Sequence, residues 1–272
     1  MKIKVKDLTV NYSIHGHVGP WVTLAHPHSS NHSAWAALAT DLAANHRVLC
    51  FDARGHGETT ATAPPYTMAQ LADDAFALLN ALEIEQTHWV GQAMGAMVGQ
   101  ALAIQNPQAV LSLVLADSTL GNPAGMQPVW AERNAAVRSQ GLGSVLESTL
   151  QRWFMPQTLQ HQTALITQVT QMILQTSVDG YVGGSSAMAS MDLSATIDRI
   201  RCPTLVMVGD HDPATPVAMS QAIHAKIAGS TLVVLPDCSH MSYLEQPELF
   251  NRQVLTFLSR LQEPGGLEQT SA

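Results

Sequence analysis

Two hydrophobic rhythms share the first part of the chain. Ile3–Lys6 and Thr9–His15 place apolar side chains at every second position, the period of a half-buried strand. They read as an antiparallel pair turning at Lys6-Asp7. Trp21–His26, Arg47–Asp52, Thr87–Val90 and Val110–Ala116 are short, nearly continuous apolar runs, as expected of strands buried on both faces. Asn31–Ala44, Thr67–Leu82 and Gly95–Ala103 carry helical spacing between them. Strands separated by helices predict a mostly parallel, eight-stranded-type sheet flanked by helices, an α/β architecture. Past Leu120 the alternation stops. Helical segments rich in Gln, Ala, Met and Leu run to about Thr196, opened by Gly121-Asn122-Pro123 and punctuated by Gly183-Gly184. Some seventy residues of helix are too long for an ordinary crossover. They are expected to form an inserted helical cap, residues 121–196, on a core of residues 1–120 and 197–262. Residues 263–272 read as a flexible tail. Cys202–Gly209 and Ser230–Leu235 resume the strand pattern.

Composition narrows the class. Of 272 residues, 46% are hydrophobic and 12% charged, which argues for a compact globule and against disorder. A net charge of −8 repels nucleic-acid phosphate. No apolar stretch approaches the roughly 18 residues of a membrane span, and the N-terminus lacks the apolar block of a signal peptide. Three cysteines at irregular spacing (Cys50, Cys202, Cys238) suit buried thiols in a reducing compartment better than a disulfide framework. These features predict a cytoplasmic protein acting on a small molecule, with neither nucleic acid nor membrane as partner, and a homodimer is compatible with them.

The chemistry centres on Gly91-Gln92-Ala93-Met94-Gly95. A strand leads in and a helix leads out, the context of the G-x-S-x-G nucleophile elbow of serine hydrolases. Both glycines are required because a side chain at either would strike neighbouring backbone in so tight a turn. The central residue, Ala93, has no hydroxyl. In the elbow architecture an acid and then a histidine follow the nucleophile, each just past a strand end. Asp212, after Cys202–Gly209, and His240, after Ser230–Leu235, meet that order. Asp212 would orient His240, and His240 would act as general base and then acid. Asp117, ending Val110–Ala116, is the alternative acid.

An elbow also needs donors for a developing oxyanion. The Met94 N–H, at a helix N-terminus, would supply one. The loop Ala25-His26-Pro27-His28-Ser29-Ser30-Asn31-His32 would supply the second from His28. His26, His28 and His32 could suggest a metal, yet they define no helical face and no Asp or Glu in the loop completes the set. No metal and no cofactor are expected. Asp52-Ala53-Arg54-Gly55-His56-Gly57 lacks phosphate-loop spacing and reads as a structural turn with an Arg–Asp network.

Taken together, the oxyanion loop ending in Trp35, the Asp52–Gly57 turn, the elbow, the Gly209-Asp210-His211-Asp212 acid loop and Ser239-His240 resemble the α/β-hydrolases. Within them the chain is similar to the 3-oxoadipate enol-lactonase group, through Ala136-Val137-Arg138, Arg152-Trp153-Phe154 and Ser177-Val178-Asp179-Gly180-Tyr181. The resemblance implies a hydrolase of small lactones or carboxylic esters working through a Ser-His-Asp triad. Ala93 and His26-Pro27-His28 depart from the pattern. A lineage without the serine would have no use for the acid and base unless they did something else. The intact surroundings therefore point to a serine-to-alanine exchange made in the laboratory. The competing readings are a His–Asp dyad enzyme of the same fold, such as a cofactor-free dioxygenase or lyase, and a non-catalytic binder using the same cavity. Trp130, Arg152, Trp153 and Tyr181 are the candidate substrate contacts, with Arg152 available to a substrate carboxylate.

Overall fold

The computed structural model describes residues 1–121 and 126–262. Asn122, Pro123 and the expected tail from Glu263 lie outside the described residues. Strands β1 (Lys2–Val5), β2 (Leu8–His15), β3 (Trp21–Ala25), β4 (Arg47–Phe51), β5 (Thr87–Gln92), β6 (Val110–Ala116), β7 (Thr204–Gly209) and β8 (Thr231–Leu235) form one sheet in the order β1-β2-β4-β3-β5-β6-β7-β8. The β1–β2 and β2–β4 pairs are antiparallel and the others parallel. Each β-strand of the parallel part is followed by an excursion back across a face, so the strand ends collect on one rim.

Period-two alternation sorts the core. Leu49 and Phe51 of β4 and Trp89 of β5 face one side, while Val48, Cys50 and Val90 face the other. Helices α1 (Ala36–Leu42), α2 (Met68–Ala81) and α3 (Met94–Gln105) follow in chain order. Helices α2 and α3 cover the first face through Leu71, Leu78, Met97 and Leu102. Leu38 and Leu42 of α1 cover the second. The expected helix over 31–44 divides instead into a 3-10 turn, His32–Trp35, and α1. The Asn31 side chain accepts from Ser33 N–H and from the Ser33 hydroxyl, a local bond that competes with a regular α-helical start.

Between β6 and β7 lie α4 (Met126–Gln140), α5 (Gly143–Trp153), α6 (Pro156–His161), α7 (Thr163–Gln175) and α8 (Val178–Ala189). The two ends of this helical insertion meet at a Gly121–Asp192 bridge and a Leu193 N–H bond to Leu120 O. Gly183 and Gly184, expected to break this region, sit inside α8. Their lack of side chains serves packing: a Cβ at Gly183 would lie 2.2 Å from the Tyr66 ring, and one at Gly184 2.7 Å from the His28 ring. Gly180 meets the Gly55 backbone in the same way, its Cβ position falling 1.9 Å from Gly55 O. The helix penalty of glycine, about 1 kcal/mol each, is set against direct contact of α8 with the core.

Helices α9 (Val217–Lys226), α10 (Ser242–Glu245) and α11 (Pro247–Gln262) complete the chain. Phe250, Val254 and Leu258 of α11 join α1 on the second face. Cys50 and Cys238 are buried and Cys202 partly so, all three as thiols. Among the described residues no helix is long and apolar enough to cross a membrane.

Candidate active site

At the centre of the rim, β5 runs through Gln92 into Ala93, and α3 begins at Met94. Ala93 has φ +47° and ψ −112°, a left-handed conformation costing a non-glycine residue about 1–3 kcal/mol. The turn leaves no alternative. A Cβ at Gly91 would be 2.4 Å from the Gly95 backbone, and one at Gly95 2.1 Å from Ala25 O. The Ala93 N–H is tied to Ala116 O at 2.9 Å, fixing the turn to the neighbouring strand end. As the first residue of α3, Met94 presents an N–H with no intrahelical acceptor.

Beyond β7 and β8, Asp212 and His240 meet. His240 Nδ1–H donates to Asp212 Oδ2 at 2.8 Å, both residues being buried. The ring must be the donor because a carboxylate has no proton to give. Asp212 is saturated: Oδ1 accepts from the Ala214 and Thr215 N–H groups, and Oδ2 also accepts from the Thr215 hydroxyl at 2.6 Å. Burial opposes a charge on Asp212, but His240 and these donors outweigh it and lower its pKa. Burial likewise opposes a charged His240, and Asp212 outweighs it, holding the imidazole above its ordinary range.

Asp117, the alternative acid, bonds elsewhere. Its Oδ1 accepts from Gly209 N–H at 2.9 Å and its Oδ2 pairs with the Ser242 hydroxyl at 2.5 Å. Burial, and then the Asp212 charge, push its carboxyl up to about 8 from 3.8. The folded chain therefore keeps a proton here that the unfolded chain has lost. Stability from this group falls as pH rises from about 4 to about 8. Asp117→Asn, an isostere of the protonated carboxyl, is expected to flatten that slope. Denaturant midpoints of both proteins at pH 5 and pH 8 measure it; an unchanged slope in Asp117→Asn would show the carboxyl to be ionised throughout.

The loop after β3 is pinned by its own histidines. His26 donates from Nδ1 to Pro27 O at 2.7 Å and accepts at Nε2 from Ala53 N–H at 2.9 Å. His28 donates from Nε2 to Tyr181 O at 2.8 Å and accepts at Nδ1 from the Ser29 hydroxyl. Burial lowers the His28 pKa to about 3, so its ring is neutral and fixed in one tautomer. His32 donates from both its backbone N and Nδ1 to Asp52 Oδ1. The Asp52–Gly57 turn is structural in the same sense. Asp52 is a hub for Asn11, His32 and Glu58 N–H, whereas Arg54 forms a bidentate pair with Asp74 and reaches Asp7.

Ala93 and His240 share a cavity of about 250 Å³ with Pro27, His28, Arg152 and Trp153, and Trp130 lies on the same wall. Arg152 lies over the Trp130 ring, 5.8 Å from its centroid. Its Nε has no hydrogen-bond partner, and no carboxylate forms an ion pair with it among the described residues. Partial burial, with Arg133 nearby, lowers its pKa, so the site holds a partly desolvated cation. Tyr181 is not a wall of this cavity. It lies behind His28, its ring 4.7 Å from the His28 ring and its hydroxyl accepting from Arg133 Nε. Expected as a substrate contact, it has its carbonyl bonded to His28 and its hydroxyl to Arg133.

The family model of the alpha/beta hydrolase fold matches residues 14–247. The chain belongs to the α/β-hydrolase family. It is 32% identical over 259 residues to 3-oxoadipate enol-lactonase 2 of Acinetobacter baylyi, covering 95% of this chain and 96% of that one. Among solved structures it is similar to the enol-lactonase from Burkholderia xenovorans LB400, at 29% identity and a TM-score of 0.92, over 95% of this chain and 100% of that one. A thermophilic esterase from Thermogutta terrifontis, solved with malate bound, gives 27% identity and a TM-score of 0.91 over 97% and 99%.

This α/β-hydrolase also carries site residues that its sequence did not single out. Gln92 donates from Nε2 to His240 O at 2.6 Å, joining the elbow to the histidine turn. Thr215 supports Asp212, and Ser242 joins His240's turn to Asp117. Gln92 had a signal, since it adjoins the elbow centre. For Thr215 the signal was its place three residues past the acid, where a hydroxyl returns to a preceding carboxylate.

Proposed function

We propose that this α/β-hydrolase binds a small lactone or carboxylic ester bearing a free carboxylate, over a site built for Ser-His-Asp chemistry in which position 93 is alanine. The Asp212–His240 pair beside the strained Ala93 turn is the observation that carries this reading. In it, Asp212, held by four donors, fixes the His240 tautomer. His240 Nε2 serves the nucleophile position, and the Met94 and His28 N–H groups receive the carbonyl oxygen of the scissile group. The helices of residues 121–196 act as the cap, with Trp130, Arg152 and Trp153 lining the bound molecule. The named activities of the enol-lactonase relatives and the malate in the esterase support a substrate of this size and charge.

Arg152 selects the anion. A half-buried guanidinium whose Nε is fully covered and which has no carboxylate partner gains when a ligand supplies one. Replacing Arg152 by Met is expected to weaken binding of a carboxylate-bearing lactone by about ten- to a hundredfold, and to leave its uncharged methyl ester nearly unaffected. Calorimetric titration of the Ala93 protein, which holds ligand without forming an acyl intermediate, measures both. Equal losses for the two ligands would remove the carboxylate from the substrate class.

A second reading is favoured by the completeness of the Asp212–His240–Thr215 network without a hydroxyl at position 93. In it the dyad abstracts a proton from a bound substrate directly. Turnover by the Ala93 protein at a rate that serine does not increase selects it.

A further inference from the structure

His240's turn is fastened to the insertion at two places. Met241 N–H donates to Trp153 O at 3.0 Å. Glu245, in α10, does the rest with one carboxylate. Its Oε2 accepts from Ser239 N–H at 2.6 Å, while its Oε1 accepts from Met155 N–H at 2.8 Å and from the Thr158 hydroxyl at 2.5 Å. Ser239 immediately precedes His240. Met155 lies two residues past Trp153, at the extended corner between α5 and α6 (Phe154 ψ +149°, Met155 ψ +150°). Arg152 and Trp153, which line the cavity, therefore sit at one end of a short chain of charge-assisted bonds, and the histidine sits at the other.

We propose that Glu245 is a positioning residue that couples the α5–α6 corner of the insertion to His240, so that displacement of the corner displaces the base. The proposal rests on His240 being the base of the reading above. Three donors converge on two oxygens that offer no proton of their own. A glutamine would turn an N–H₂ group against an N–H at one end, so only a carboxylate serves both sides. The corner is the non-helical joint of this part of the insertion, and a joint moves more readily than a helix interior. Ligand pressing on Arg152 or Trp153 is transmitted through Met155 and Glu245 to Ser239, with the Trp153–Met241 bond as a parallel link.

Thr158→Val tests the coupling, because Thr158 touches Glu245 and not the His240 turn. In the full-length protein, amide exchange at Ser239 and Met241 is expected to quicken by about tenfold, together with that at Met155. The low-field proton resonance of His240 Nδ1–H should broaden in the same variant. Glu245→Gln should produce both changes more strongly; if it fails to fold, Thr158→Val decides alone. Faster exchange confined to residues 153–161, with Ser239, Met241 and the His240 proton unchanged, overturns the proposal. These readouts need no turnover, so their failure leaves the lactone or ester reading standing, and absence of hydrolysis leaves the coupling standing.

Discussion

Ala93→Ser is expected to raise hydrolysis of a carboxylate-bearing lactone or ester by several orders of magnitude, up to about 10⁶ in kcat, or roughly 8 kcal/mol of barrier. The turn already spends its strain on holding that position at φ +47°, so a serine there needs no rearrangement of backbone. The base is already oriented, with Nδ1 committed to Asp212 and Nε2 the remaining nitrogen. The rate should rise with pH as His240 loses its proton. Burial opposes the charged ring and Asp212 outweighs that opposition, so the rising limb lies above the ordinary 6.5. A serine-directed organophosphorus probe should label the Ala93→Ser protein and leave the Ala93 protein unlabelled. Absence of both labelling and turnover in a folded Ala93→Ser protein would end the covalent reading. Equal, substantial turnover in both forms would instead assign the reaction to the dyad.

The second large effect concerns the acid. In the Ala93→Ser protein, Asp212→Asn is expected to lower kcat by about 10⁴. Two N–H groups, of Ala214 and Thr215, point at Oδ1, so the amide oxygen must occupy that place. Its NH₂ then faces His240, whose Nδ1 is forced to accept and whose proton moves to Nε2. A ring protonated at Nε2 cannot take the proton of a serine. Asp117→Asn leaves that bond untouched and should cost far less, because Asp117 holds Gly209 and Ser242 rather than the ring. Steady-state kinetics of the two variants side by side separate the acids; the reverse ranking would exchange their roles.

Much of this site was visible in the chain because its signals are local. Gly91 and Gly95 announce the elbow by what they lack, and the unbroken apolar run Val48-Leu49-Cys50-Phe51 announces a strand buried on both faces. The order of Asp212 and His240 is a property of the connectivity. What stayed hidden depends on contacts across long separations. Glu245 reaches Met155, ninety positions away, and no spacing rule links them. Gly183 and Gly184 look like breakers until Tyr66 and His28 are seen against them, for a glycine's reason can lie wholly in its neighbour. Tyr181 carries the chemistry of a pocket residue, and only the path of α8 shows its polar groups turned to His28 and Arg133.

Helix α8 also bears on how such scaffolds can be recombined. Ser177 at its start donates to Gly55 O at 2.9 Å, and Gly180, Gly183 and Gly184 follow it down onto the core backbone, Tyr66 and His28. Cutting at the chain positions where the insertion leaves and rejoins the sheet would exchange this helix too. The recipient would lose the surface on which the His28 loop rests. The better seam for a graft falls at Thr176-Ser177, between α7 and α8: α8 is inherited with the sheet, and helices exchanged upstream of it must restore the bonds of Arg133 to Tyr181 and of Trp153 and Met155 to the His240 turn.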